Sequence, residues 1–192
     1  IPTTGIAMGI KFKENTSLEK PMKNFEPVVV CSMGDASITE GEVAEAFQMA
    51  SLKQLPILFL VQDNEWDISA YSDETRVCNA HEYSRGFGLE SYSIDETNFT
   101  KCFKTVEKIL KKIRKDRKPI LLHAKVPLLN HHTSGVRMEW YRDDIDESKM
   151  RDPFPKLKKE LIKLNINESS LNEIFEKHKK IINDQYAKAV AA

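Results

Sequence analysis

The chain has no excess charge. Its 29 Lys and Arg are balanced by 29 Asp and Glu, so the formal net charge is zero. That balance excludes the basic footprint expected of a protein that holds nucleic acid or an anionic membrane. Long apolar runs are also missing: Pro56 to Val61 is among the longest and falls far short of a bilayer span. Cysteine is scarce. Cys31, Cys78 and Cys102 are odd in number and widely spaced, which fits neither a disulfide framework nor a zinc site. A reducing, cytoplasmic setting is the expectation that follows. The sequence has no secretory signal, no initiator Met, no internal repeat and no low-complexity tract. The opening "IPTTGIAMGIKF", with apolar Ile6, Met8 and Ile10, is therefore expected to be interior to a longer chain.

A hydrophobic content of 41% over 192 residues suffices for one sizeable core, or for a domain with an appendage. "PVVVCSMGD" (27–35) is an apolar, β-branched run closed by Gly-Asp and predicts a strand. "TEGEVAEAFQMASLKQ" (39–54) predicts a helix from Val43, Ala46, Phe47 and Ala50, with Ser37 and Glu40 spaced as a capping box. "LPILFLVQDN" (55–64) predicts a second strand. Strands this uniformly apolar are expected to be covered on both faces, as in a parallel sheet. A short helix ended by Gly (76–88), a strand (89–95), an amphipathic helix (99–116) and a further apolar strand (118–129) continue the alternation. In the helix over 99–116, Phe99, Phe103, Val106, Ile109, Leu110 and Ile113 share a face. The order predicts an α/β fold with a doubly wound, mostly parallel sheet. Residues 130–152 have no clean period and read as a long loop, of the kind usually functional or disordered. Beyond Pro153 the chain reads as lysine-rich helix, with Ser169 or Ser170 as a cap and the charge run as a solvated face. The domain reading is 1–150 for the sheet domain and 151–192 for a C-terminal helical extension of it.

Ligands of open parallel sheets bind beyond the carboxyl ends of the strands. Asp35 ends the first strand and Asn64 ends the second. If the two strands are neighbours, a carboxylate and an amide oxygen meet in one crevice, which suits a hard cation such as Mg²⁺. The helix starting near Thr39 would turn its amides toward the same place and favour an anionic group, and the small Ala36 and Ser37 would let a phosphate approach. Asp and Asn are also common turn residues because they bond to their own backbone, so spacing alone leaves both readings open.

Gly34-Asp35-Ala36, then 26 residues, then Asp63-Asn64 resembles the thiamine-diphosphate motif, usually Gly-Asp-Gly followed by Asn-Asn. Five stretches in order, "GDASITEGEVAEAF", "ILFLVQDNEWDIS", "GFGLESYSID", "KPILLHAKV" and "HHTSGVRMEWYRDD", resemble the α chain of the decarboxylating component of 2-oxo acid dehydrogenases. The double His before a hydroxyl residue looks most like the branched-chain (2-oxoisovalerate) type. The resemblance covers roughly residues 1 to 165.

It implies the thiamine-diphosphate-binding fold and Mg²⁺ held by the Asp35 carboxylate, the Asn64 side-chain oxygen and the Trp66 backbone carbonyl. Gly34, Ala36, Ser37 and Gln62 would line the diphosphate, Ile68 would lie against the cofactor near its aminopyrimidine, and His132 would reach the diphosphate and handle protons or acyl transfer. His131 would orient the loop. Thr133 stands where relatives carry a regulatory phosphoserine, and no such regulation is expected here. Three positions depart from the family pattern: Ala36 replaces Gly, Asp63 replaces the first Asn, and Gln62 stands where branched-chain enzymes carry a phosphate-binding Arg. Together they remove positive charge, and Ala36 is tolerable only at negative φ. His81, His123 and His178 read as structural, and Cys31 as core.

The implied activity is oxidative decarboxylation of a small, branched-chain 2-oxo acid with acyl transfer to a lipoyl carrier. The implied partners are a β chain, or a β-type domain of a fused chain, and a lipoyl-bearing acyltransferase, with no nucleic acid and no membrane. The glutamate that activates the cofactor belongs to the β chain in this family, so these residues are expected to carry half a site. Competing readings are a pyruvate- or acetoin-type α chain, more remotely a transketolase, or a degenerate domain that only holds a partner. Assayed alone, the 192-residue chain is expected to bind thiamine diphosphate poorly. Turnover of 2-oxoisovalerate by it without a partner would overturn that expectation.

Overall fold

The computed structural model describes residues 1–16, 26–95 and 97–191. It divides into two compact units, Ile1–Arg151 and Asp152–Ala192. The first is built on a four-stranded parallel sheet of β1 (Val29–Gly34), β2 (Ile57–Asp63), β3 (Glu90–Ile94) and β4 (Ile120–Lys125), in the order β1-β2-β4-β3. The expected α/β class and parallel pairing are observed, and β1 and β2 are direct neighbours, with Gly34 opposite Gln62.

Two separate cores line the sheet. One gathers Ala7 of α1 (Pro2–Thr16), Phe47 and Ala50 of α2 (Gly41–Lys53), and Ile57, Phe59, Val61 and Leu121 of the strands. Phe47 is its centre: its ring meets Phe59 edge-on at 4.8 Å and Phe87 at 5.8 Å. The other core sets Ile109 and Ile113 of α5 (Phe99–Asp116) against Leu58, Ile120 and Leu122. Alternate residues of β2 thus serve different cores, the physical meaning of a run that is apolar at every position.

Full coverage holds for the interior strands only. β1 lies at an edge and alternates between half-buried and exposed positions, with Val30 50% exposed. Only part of the expected α5 face is used. Phe99 and Phe103 are more than half exposed and stack on each other, with ring centroids 6.1 Å apart. α5 begins as its sequence suggests, Asn98 Oδ1 accepting the Lys101 N–H at 2.9 Å, and it ends at Arg117 in the left-handed region (φ 50°). Arg117 then donates to the Pro27 carbonyl at 3.0 Å and pairs with Glu14, joining α1, the approach to β1 and the end of α5.

Several local expectations are corrected. The Ser37–Glu40 capping box does not form. Ser37 lies in a 3-10 turn (Ala36–Thr39), Glu40 is the N-cap residue of α2, and no side chain caps that helix. The long segment 130–152 holds a 3-10 turn (Met138–Trp140) and α6 (Ile145–Met150), and a short helix α3 (Ser72–Thr75) precedes α4 (Ala80–Arg85). The second unit consists of α7 (Pro153–Lys163) and α8 (Glu168–Ala191). There Asn167, rather than Ser169 or Ser170, caps the helix, its Oδ1 accepting the Ser169 N–H at 2.8 Å. Among the described residues no helix is long and apolar enough to cross a membrane.

Because Phe47 is fully buried among rings that cannot all collapse inward, Phe47→Ala is expected to destabilise the sheet unit by about 3–5 kcal/mol. Urea unfolding with an unchanged slope would check this, and a loss below about 1 kcal/mol would show that the site repacks.

Candidate functional site at the strand ends

The β1–β2 register brings Asp35, immediately after β1, alongside Asp63, the last residue of β2. Both are buried, at 3% and 4% exposure. Two carboxylates removed from water and set side by side repel strongly unless a cation stands between them. The cation present is Arg76, the residue after α3. Its Nη2 bonds Asp35 Oδ2 and lies 3.6 Å from Asp63 Oδ1, while its Nη1 bonds Asp67 Oδ1 at 3.3 Å. The guanidinium side chain is itself only 5% exposed.

Asp63 is the better served of the two acids. His123, fully buried in β4, places Nε2 at 2.6 Å from Asp63 Oδ2, and the Glu65 N–H donates to Asp63 Oδ1 at 2.9 Å. The other His123 nitrogen, Nδ1, meets Ser93 Oγ of β3 at 2.9 Å. Burial alone would push the Asp63 carboxyl up. The His123 and Glu65 hydrogen bonds, with the charges of His123 and Arg76, outweigh it and hold Asp63 below its ordinary value. Asp35 is pushed up to about 6, first by burial and then by the charge of Asp63, with Arg76 pulling the other way. One guanidinium shared among three carboxylates does not neutralise them all.

After Asp63 the chain reverses tightly. The Asn64 Oδ1 accepts the Trp66 N–H at 2.9 Å, and Glu65 takes a left-handed conformation (φ 66°). Trp66 bridges to Tyr71, and the Ser72 N–H donates to the Glu65 carbonyl at 2.9 Å. Trp66 is buried, meets Tyr71 and Tyr141 edge-on at 5.0 and 5.3 Å, and lies under the Arg142 guanidinium at 5.6 Å.

Asp35 thus follows β1, and Asn64 and Trp66 follow the neighbouring β2. Ala36 has the negative φ that its replacement of Gly requires, and it opens the short turn that also holds the half-buried Ser37. Gly34 and Gln62 face each other across the strands, with Gln62 Nε2 donating to Ser32 Oγ at 2.9 Å. Ile68 is 53% exposed on the hairpin. His132 is exposed, and among the described residues no hydrogen bond or ion pair joins it to the Asp35–Arg76 cluster. Its neighbour His131 ties the loop instead, Nδ1 accepting the Met138 N–H at 3.1 Å. Arg76, Asp67 and His123 belong to the cluster although strand-end reasoning did not single them out as site residues.

A family model described as dehydrogenase E1 component matches residues 1–192. The chain belongs to the dehydrogenase E1 component family. Among its relatives, the pyruvate dehydrogenase E1 component subunit alpha of Rickettsia bellii is 23% identical over 155 residues, 79% of this chain and 48% of that protein. The same subunit of Porphyra purpurea is 29% identical over 150 residues, 77% of this chain and 44% of that protein. The 3-methyl-2-oxobutanoate dehydrogenase subunit alpha of Mycobacterium tuberculosis is 28% identical over 134 residues, 68% of this chain and 36% of that protein. The chain therefore spans at most about half the length of these E1 relatives. Nearly two thirds of the chain also shares its fold with transketolases. The Campylobacter jejuni enzyme superposes with TM-score 0.52 at 24% identity, over 64% of this chain and 18% of that one. A Pichia stipitis transketolase variant gives 0.54 at 19%, over 64% and 18%.

The raised value for Asp35 has a definite sign. Between about pH 4 and 6 the native state keeps a proton there that the unfolded chain has released, so this group's contribution to stability falls as pH rises through that window. Asp35→Asn lacks that titration. With a chelator present, its unfolding free energy is expected to gain on wild type from pH 4 to 6 by up to about 1 kcal/mol per pH unit and to level off above about pH 7. A pH-independent difference in paired urea melts would contradict the assignment.

Proposed function

We propose that this chain is the α component, or α part, of a thiamine-diphosphate-dependent 2-oxo acid dehydrogenase and supplies the metal–diphosphate half of the cofactor site. The observation that carries the proposal is the buried Asp35, short of positive charge, at the end of β1 beside the reversal that places Asn64 and Trp66 at the end of β2. Membership of the E1 family supports the cofactor assignment. The donor chemistry fits a divalent cation. A carboxylate, a carboxamide oxygen and a backbone carbonyl form an all-oxygen set, of the kind Mg²⁺ completes with water and phosphate. Among the described residues no three His, Cys, Asp or Glu side chains make a complete metal site, so amide, carbonyl and ligand oxygens would have to finish the shell.

In that role the Asp35 carboxylate and the Asn64 oxygen bind the ion, while the Trp66 peptide is held in place by its own amide on Asn64 and by its ring under Arg142. Gly34, Ala36 and Ser37 leave room beside β1 for a diphosphate, Ile68 offers an apolar surface to the cofactor, and His132, on its exposed loop, moves a proton when that loop meets the completed site. When bound, the cofactor supplies the electron sink for decarboxylation; the protein supplies position and electrostatics. A β chain or β-type domain completes the site, and a lipoyl-bearing acyltransferase receives the acyl group.

The substrate is a small 2-oxo acid. The stretch "HHTSGVR" supports a branched-chain acid such as 2-oxoisovalerate, while relatives named as pyruvate dehydrogenases support pyruvate. The ratio of kcat/KM for the two acids in the assembled enzyme decides between them.

In the assembled enzyme, Asp35→Ala is expected to abolish calorimetrically detectable binding of thiamine diphosphate with Mg²⁺, and Asn64→Ala to weaken it about ten- to a hundredfold. A wild type that shows no heat of binding would instead mark a degenerate domain that only holds its partner.

A further inference from the structure

Arg76 is buried among the strand-end carboxylates and is the cation that meets Asp35, so its position raises a question of competition. Its guanidinium is gripped by three aspartates from three places: Asp35 after β1, Asp63 at the end of β2 and Asp67 in the hairpin. Its backbone is also fixed, the Arg76 N–H donating to the Ser72 carbonyl at 3.0 Å. The grip is asymmetric. Asp63 has His123 and the Glu65 amide as further partners, and Asp67 is partly open to water, whereas Asp35 has Arg76 as its one cationic partner and otherwise meets the Asp63 carboxyl, which pushes its own value up.

A divalent ion that takes the Asp35 carboxylate takes the oxygen that Arg76 now holds. Ion and guanidinium then repel each other at short range in a site of low dielectric. Asp63 and Asp67 keep the guanidinium in the crevice, so it turns rather than leaves. A guanidinium has five N–H donors in a planar fork, a geometry that suits phosphate oxygens. Gln62, also at the end of β2, is neutral and already donates to Ser32 Oγ. Lys125, at the end of β4, is partly exposed and paired with Glu65 at 3.1 Å.

We infer that Arg76 is a movable counter-ion: it holds Asp35 in the cation-free site and, displaced from it by the metal, donates to the diphosphate of the incoming cofactor. The inference rests on the reading above that this crevice takes a metal–diphosphate group. It accounts for how a site with Gln62 and Asp63 at its rim can hold an anion, since the cation comes from the segment after the hairpin.

Two titrations of the assembled enzyme test it, with Arg76→Gln and Arg76→Lys against wild type. Mn²⁺ is bound alone and read by electron paramagnetic resonance, and thiamine diphosphate is titrated at saturating Mg²⁺ by calorimetry. Arg76→Gln is expected to bind Mn²⁺ several-fold more tightly, because the competing cation is gone, and thiamine diphosphate about ten- to a hundredfold more weakly. Arg76→Lys keeps the charge without the fork. It is expected to bind Mn²⁺ much as wild type does and thiamine diphosphate about tenfold more weakly, and it carries the test alone if the Gln variant does not fold. Unchanged thiamine diphosphate affinity in the variants, or a parallel loss of both ligands, overturns the inference, the second outcome marking a purely structural role. A wild type that binds neither ligand overturns the functional reading itself, and this inference with it.

Discussion

Two neighbouring carboxylates cannot both stay ionised in a buried site without a cation, and the site is arranged around that constraint. The parallel register of β1 and β2 fixes Asp35 beside Asp63, and the residue that reconciles them lies thirteen positions after Asp63, at Arg76. For Arg76 to return, the chain must turn back sharply on leaving the sheet. Asp63 and Asn64 both help it do so, each accepting the amide two residues on, and Glu65 takes the left-handed conformation between them. The turn reading and the ligand reading of these residues are therefore compatible. The same side chains that shape the reversal leave carboxylate and carboxamide oxygens with capacity for a second partner.

The interior of the sheet takes part in the same balance. His123 sits mid-strand in an apolar run and is fully buried, which alone would make it a costly polar residue. Its two nitrogens are satisfied by Asp63 on one neighbouring strand and Ser93 on the other, so a row of polar contacts runs from the β3 edge through the core to the crevice. That support explains why the paired acids behave so differently. Asp63 is held ionised by fixed partners, whereas Asp35 has one shared guanidinium to favour its charge, opposed by burial and by the Asp63 carboxyl beside it.

What could be read from the sequence follows the physics of each segment. β2 and α5 are legible because burial on both faces or on one stripe leaves a periodic signature, and the alternation points to the parallel β1–β2 pairing that puts the ends of the two strands side by side. α1 was not legible. Its buried residues are Thr4 and Ala7, small side chains that pack closely but give little contrast, and its larger Ile6 and Met8 face outward. Arg76 was missed because it lies between two very short helices, where no period exists. The available signal is chemical: Asp35 and Asp63 at adjacent strand ends, with Asp67 in the turn beyond, require a cation, and Gln62 cannot be one. The exposed outer face of β1 shows a further limit, since apolar composition does not tell an edge strand from an interior one.

The segment that carries His131 and His132 has no period in its sequence, yet it is organised by one buried charge. Arg142, its side chain fully buried, makes a two-pronged bond to Asp144 at 2.8 Å to each oxygen, and also donates to the Leu128 carbonyl and to Ser148 at 2.8 Å each. A single side chain thereby joins the exit from β4 to the start of α6, an arrangement invisible to periodicity because it relies on one residue. The Arg142 guanidinium also covers Trp66, whose indole N–H points to Asp144 at 3.4 Å. The hairpin that would present its carbonyl to a metal and the loop that carries His132 are therefore packed on a common element. Removing a partner from a buried ion pair leaves the other uncompensated, at a cost of several kcal/mol. Order in the histidine loop and order in the strand-end hairpin should thus rise and fall together, which makes the Trp66–Arg142 contact the physical link between the metal–diphosphate crevice and the residue proposed to move protons near it.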